Sequence, residues 1–189
     1  MTLEDSLVTL ANSRLKHLFL DRDGIINSVV MREAVVGSPR NLQEFEIRDD
    51  FIEFYNQARE RNVTLYVVSN QPDIRRGLMQ EDALVEMSNV LHSRFEFAEI
   101  LYCRHDNSDC CACRKPKPGM LMELLQKFCI DPEEALMVGD SPKDIEAAHA
   151  ANVKSALLKT QYNMPYEEAK PPTLMINSLL ELFSSLEQI

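Results

Sequence analysis

The chain has 189 residues, 45% hydrophobic and 26% charged. That fits one globular domain and excludes disordered, collagen-like and coiled-coil classes. Thirty acidic side chains against twenty basic ones give a net charge of −10, which disfavours a phosphate backbone as partner but not a small phosphorylated ligand at a locally positive site.

Short apolar runs alternate with helix-period segments along the chain. Residues 17–20 form the first strand and run directly into Asp21. Residues 28–44 lack clean periodicity and read as a loop or small hairpin flap. Phe51, Phe54, Tyr55 and Ala58 recur at helical spacing. The β-branched run 63–68 ends at Ser69-Asn70, and Leu84, Met87 and Leu91 mark a second helix. Residues 99–103 form a strand leading into a Cys/His cluster. Met120, Leu121, Leu124, Leu125 and Phe128 define a third helix. Residues 135–138 lead into Gly139-Asp140, then Ser141-Pro142 supplies an N-cap and first-turn proline, with Asp144 three residues past the cap. Strands at 155–158 and 173–176 follow, with a turn at 169–172 between them. Ser178 with Glu181 suggests a capping box for a last helix built on Leu179, Leu182, Phe183 and Leu186.

Strands with both faces apolar, alternating with helices, imply an α/β domain. Its sheet is mostly parallel, with helices on both faces. The whole chain, 1–189, reads as a single domain, with residues 1–16 as an N-terminal extension. No run approaches the ~20 apolar residues of a membrane span. The opening MTLEDSLVTLANSR has acids where a leader has bases. A cytoplasmic monomer with no membrane or nucleic-acid partner is therefore expected.

In open α/β sheets ligands bind beyond the carboxyl ends of the strands. There this sequence places Asp21-Arg22-Asp23-Gly24, Ser69-Asn70-Gln71, Arg114-Lys115 and Gly139-Asp140. Carboxylates, a hydroxyl, an amide and cations in that setting suit phosphoryl transfer assisted by Mg²⁺. Asp21 and Asp140 can ligate the cation through hard oxygens. Lys115 can add positive charge over a phosphate, and Ser69 can hold its oxygens. Asp23, two residues beyond Asp21, is on the same side if the strand continues and can serve as general acid and base. Gly24 permits a sharp turn. Arg22, Asn70 and Gln71 stand at the same strand ends and are expected among the substrate contacts. Arg32 and Arg40, in the flap, are candidates for a second phosphate.

Cys103-x-His105 and Cys111-x-Cys113 make two tight chelating pairs. Three sulfurs and one imidazole match a closed tetrahedral Zn²⁺ site, structural because it leaves no position for water. The loop 103–113 would present Arg114 and Lys115. Cys110 is a spare thiol and Cys129 is expected in the core. His17, His92 and His149 carry no pairing signal.

The motifs DRDGIIN, VVSNQ, CRKPKPGM and MVGDSPKDIEAA resemble the four signature motifs of the haloacid dehalogenase (HAD) superfamily of phosphohydrolases, over roughly residues 17–160. The resemblance implies a Rossmann-like sheet with the nucleophile's strand central. It also implies Asp21 as nucleophile, Asp23 as acid/base with its carbonyl on Mg²⁺, Ser69 as phosphate ligand, Lys115 as phosphoryl-stabilising lysine and Asp140 as Mg²⁺ ligand. The metal loop further resembles the zinc-containing branch that includes heptose bisphosphate and histidinol-phosphate phosphatases, in which the arginine before the lysine, here Arg114, helps recognise substrate. The short gap in the loop is similar to the histidinol-phosphate type and NQPDIRRG to the heptose type. Ser141 departs from the lysine of many heptose enzymes, and SVVMRE matches neither substrate loop. The segments 21–69 and 69–115 are too short for a cap domain, so an open site is expected. A heptose 1,7-bisphosphate is the expected substrate and histidinol phosphate the alternative. A polynucleotide 3′-phosphatase and a noncatalytic zinc-stabilised binding protein are competing classes.

Overall fold

The computed structural model describes residues 15–164 and 170–187. Most of the expected N-terminal extension, and Ala169 of the expected turn, lie outside the described residues.

Six strands form one parallel sheet in the order β5-β4-β1-β6-β7-β8. They are β1 (His17–Leu20), β4 (Thr64–Asn70), β5 (Glu99–Cys103), β6 (Ala135–Gly139), β7 (Lys154–Leu158) and β8 (Leu174–Ile176). The segment 28–44 does form a hairpin, β2 (Val30–Arg32) antiparallel to β3 (Val35–Gly37). The helices are α1 (Asp49–Glu60), α2 (Glu81–Arg94), α3 (Gly119–Lys127), α4 (Pro142–Ala150) and the short α5 (Leu182–Leu186). Neither the β1–β4 nor the β4–β5 connection contains an inserted domain. Among the described residues no helix is long and apolar enough to cross a membrane.

The alternation of a pleated strand explains the two cores. Leu18, Leu20, Leu65, Val67, Leu136 and Val138 face one layer with Phe51, Phe54 and Phe183. Phe19, Tyr66, Val68 and Met137 face the other, against Met120, Leu121, Leu124 and Ala148. Burying each such side chain stabilises the fold by ~1.5–3 kcal/mol, and together they fix β1 between β4 and β6. The main-chain N–H of Asp21 continues the ladder onto Val138 at 3.0 Å, so the first site residue is anchored by the core itself.

Two local expectations are corrected. Cys129 is exposed with a left-handed φ of 52°, because it ends the turn after α3 and faces outward. Phe128 caps that helix and is 37% exposed, edge-on to Tyr66. The last helix begins as a 3-10 turn whose cap is Ser178, accepting from the Leu180 N–H. Glu181 reaches the N–H of Asn177, one residue beyond a standard capping box.

Candidate active site and metal centre

The ends of β1, β4 and β6, with the segment following β5, converge on one cleft of about 730 Å³. Asp21, Asp23, Asn70, Gln71, Arg114, Lys115 and Asp140 all line it. At its floor the Lys115 Nζ lies 2.9 Å from Asp21 Oδ1 and 2.6 Å from Asp144 Oδ1. Lys115 and Asp144 are both buried, so this is a dry ion pair held by the fold. Asn70 sets its height: its Nδ2 donates to the Lys115 carbonyl at 2.9 Å and its Oδ1 accepts from the Lys115 N–H at 3.0 Å. Both ends of that amide are therefore spent on Lys115.

Asp140 completes the floor. Gly24, at φ +90°, crosses directly over it: a Cβ there would stand 1.8 Å from Asp140 Oδ2. Only glycine permits this approach. Gly139 is similarly constrained, since its Cβ would meet Asp144 at 2.3 Å. Asp144 also accepts from the Ser141 N–H at 3.1 Å and the Ser141 hydroxyl at 2.8 Å. The expected cap of α4 is thus also a member of the site.

One carboxylate oxygen each from Asp21, Asp140 and Asp144 lie within 4.8 Å of one another. Burial pushes Asp21 up to about 7; Lys115 pulls against that rise, and the Asp144 and Asp23 carboxylates add to it. Burial, then Asp21 and Asp144, push Asp140 up to about 8. Lys115 is raised as well: desolvation opposes its charge, but Asp144 and Asp21 outweigh it. Three carboxyl groups against one ammonium present hard oxygens that hold protons until a cation replaces them. That donor set fits Mg²⁺.

Asp23 forms the wall. It accepts from Arg22 Nε at 3.0 Å, Asn27 Nδ2 at 2.9 Å and Gln71 Nε2 at 2.7 Å. Gln71 Nε2 also donates to Ser69 Oγ at 3.0 Å, which ties the first and second motifs together. Arg22 corrects an expectation. Its side chain is 0% exposed and its guanidinium sits 5.5 Å from the Phe45 ring and 5.7 Å from the Tyr102 ring. It orients Asp23 and cannot touch a ligand in the cleft. Asn70 and Gln71 likewise hold Lys115 and Asp23. Ser69 is buried beneath them.

The rim is built differently. Arg40 donates to Asp73 at 2.7 Å, and Arg76 makes two 2.7 Å hydrogen bonds to Asp106. Arg75 reaches Asp109 at 3.2 Å. Flap, post-β4 turn and Cys/His loop are thus stitched by ion pairs. Arg32 is bound by Glu44 and by the Ser38 carbonyl. Arg32 and Arg40 line the cleft already neutralised. Arg114, by contrast, bonds Asn107 Oδ1 at 2.8 Å and the His105 carbonyl at 3.3 Å. Neither it nor Lys143 has a carboxylate within ion-pair distance among the described residues, although Arg114 is near enough to Asp106 to join Arg76 in lowering its pKa.

Cys103, His105, Cys111 and Cys113 form one cluster. Cys103 Sγ lies 3.7 Å from His105 Nδ1 and from Cys111 Sγ, and 3.4 Å from Cys113 Sγ. Cys113 Sγ lies 3.3 Å from His105 Nδ1 and 3.5 Å from Cys111 Sγ. A tetrahedron with metal–sulfur bonds of about 2.3 Å has edges of about 3.7 Å, so the donors are arrayed as a metal would need. Cys110 is exposed and outside the cluster.

Sequence reading did not place Asp144, Asn27, Asp73, Tyr162 or Asn163 at the site. For Asp144 the acid four positions past Asp140 was a usable signal. For the others the contacts cross unrelated segments.

The HAD-hydrolase-like family matches residues 112–182. The D-glycero-beta-D-manno-heptose-1,7-bisphosphate 7-phosphatase of Pasteurella multocida (strain Pm70) is 31% identical over 179 residues, 88% of this chain and 94% of that protein. The enzyme of the same name from Neisseria meningitidis serogroup A (strain DSM 15465 / Z2491) is 35% identical over 151 residues, 77% of this chain and 78% of that protein. The crystal structure of D,D-heptose 1,7-bisphosphate phosphatase from B. bronchiseptica, complexed with magnesium and phosphate, superposes with a TM-score of 0.79 at 26% identity. It covers 92% of this chain and 99% of that one.

Proposed function

The chain belongs to the HAD-like hydrolases, and from that premise we propose that it is a Mg²⁺-dependent phosphatase removing the 7-phosphate of D-glycero-β-D-manno-heptose 1,7-bisphosphate. The observation that carries the chemistry is the buried Asp21–Lys115–Asp144 chain beside Asp140. The substrate is supported by relatives of that name, about 30% identical over most of the chain.

Asp21 attacks phosphorus through a carboxylate oxygen and becomes an acyl phosphate, while Asp23 gives its proton to the departing sugar oxygen. Asp23 then takes a proton from water. The water oxygen attacks the same phosphorus, and Asp21 leaves as a carboxylate with inorganic phosphate released. Lys115 stabilises the charge on the phosphoryl oxygens, and Ser69 with nearby N–H groups holds them. Asp21, Asp140 and the Asp23 carbonyl would hold Mg²⁺. When bound it offsets the repulsion between an anionic substrate and an anionic nucleophile. Arg114, which lines the cleft, would meet the second phosphate in this reading. The Cys/His cluster takes Zn²⁺ in this reading and fixes the loop bearing Arg114. Every group invoked comes from one chain, so a monomer suffices.

Phosphate release with Mg²⁺ across both anomers of heptose 1,7-bisphosphate, histidinol phosphate and 3′-phosphorylated DNA tests this. The β-anomer should lead, yielding the 1-phosphate. Faster turnover of histidinol phosphate would move the assignment to an amino-alcohol phosphate. Release from DNA would contradict the expectation drawn from the −10 charge.

A further inference from the structure

The segment after β7 carries groups that the chemistry above does not use. It closes on itself, because the Thr160 N–H donates to Asn163 Oδ1 at 2.8 Å. The Asn163 Nδ2 then donates to the Asp140 carbonyl at 2.8 Å and the Leu158 carbonyl at 2.7 Å. One amide thereby ties the ends of β6 and β7 together. The turn leaves the Tyr162 hydroxyl 2.5 Å from Asp140 Oδ2.

The phenol also packs against a third segment. A Cβ on Gly24 would stand 3.0 Å from the Tyr162 hydroxyl, so Gly24, Asp140 and Tyr162 meet at one point from three separate segments. Arg48 backs the same turn, donating to the Gly24 carbonyl at 3.0 Å. Among the described residues no other side chain donates to the Asp140 carboxylate. A carboxylate ligand is oriented by the hydrogen bonds it accepts as much as by its backbone. One held at Oδ2 still offers Oδ1 to a cation.

We infer that Tyr162 and Asn163 form a strap that orients the Asp140 carboxylate for the divalent cation. This rests on the Mg²⁺-dependent reading above. Tyr162 is a positioning residue: it lines the cleft but acts through its hydrogen bond to Asp140.

Tyr162→Phe keeps the ring and removes the donor. In a thermal-shift titration without substrate, the Mg²⁺ concentration for half-maximal stabilisation should rise about tenfold. The melting temperature without Mg²⁺ should not change. At saturating Mg²⁺, kcat should recover to within about twofold of wild type. Asn163→Ala should shift the Mg²⁺ midpoint the same way, since it frees the turn that carries the phenol. An unchanged midpoint in Tyr162→Phe overturns the strap, as does a fall in kcat that Mg²⁺ does not restore. Loss of metal-free stability would make the role structural and overturns it too. If the wild-type protein itself gains no stability from Mg²⁺, both the strap and the reading beneath it fall. If wild type responds and the variant matches it, only the strap does.

Discussion

The floor of the cleft and its rim are built by opposite means. The floor is buried main chain and dry charge: Asp21 directly after the central strand, Lys115 and Asp144 buried, and glycines where Asp140 and Asp144 press against backbone. The rim is a flap, a turn and a Cys/His loop joined by surface ion pairs and a cluster of thiols. A floor held by the core keeps its geometry whatever enters it, as reaction chemistry requires. A rim held by exchangeable ion pairs can trade a carboxylate for a substrate anion. Reaction and selectivity should therefore separate under mutation.

The sharpest test falls on the floor. Asp21→Asn should abolish turnover, by a factor of roughly 10⁴ or more for loss of a nucleophile, while the protein melts at or above the wild-type temperature. The stability follows from the same burial that raises Asp21, since an amide needs no charge there. Residual turnover near wild type, measured as phosphate release, would sink the covalent mechanism.

Next comes the Cys/His cluster of the rim and the Zn²⁺ proposed for it. Without metal, burial foremost pushes the Cys103 thiol up to about 12, so metal binding must expel the proton of at least that thiol. Removing Zn²⁺ by chelation at neutral pH should lower the melting temperature by several degrees and raise KM more than it lowers kcat. Metal analysis alongside kinetics checks this. An unchanged KM in verified zinc-free protein would detach the loop from substrate recognition.

A smaller effect distinguishes the floor by pH. The folded-state values of Asp21 and Asp140, about 7 and about 8, exceed those of unfolded carboxylates at ~3.9. The folded metal-free protein therefore binds more protons than the unfolded chain. The stability these groups contribute is full below the unfolded pKa and is lost as pH rises through the folded values. Between pH 5 and 8 metal-free wild type should lose on the order of 1 kcal/mol per pH unit relative to Asp140→Asn. Mg²⁺ should restore more stability at pH 8 than at pH 6, because it displaces the same protons. Parallel stability curves for the two proteins would contradict the assignment.

How much was legible follows the same division. The floor reads from sequence because strand ends are local: a buried run followed by Asp, Ser or Gly-Asp announces itself within a few residues. For Arg22, β spacing gives a hint only: β1 ends at Leu20 and the chain bends at Arg22, and it is the fold that sets the guanidinium between Phe45 and Tyr102. Of the rim, the Cys/His cluster and the flap hairpin were legible, but the ion pairs that join them were not. Arg40 meets Asp73 across 33 residues and Arg76 meets Asp106 across 30, and Tyr162 meets Asp140 from a turn with no motif. In the sequence a flap arginine facing a cleft looks like a phosphate ligand, and only folding shows the carboxylate already on it.

The mildest prediction tests that exchange. Arg76 is 41% exposed and shares Asp73 with Arg40 and Asp106 with the metal loop. Exposed pairs contribute ~0–1 kcal/mol each, so Arg76→Ala should leave the melting temperature nearly unchanged. It frees Asp106 and loosens Asp73, adding uncompensated negative charge beside Arg114. KM for a bisphosphate should rise about threefold, near the effect of one weakened charge contact, while KM for a monophosphate substrate and both kcat values stay put. The rise should fade with added salt, since screening reaches exposed charges first. Equal losses on both substrates would mean that the rim supports the floor, and the separation of reaction from selectivity would fail.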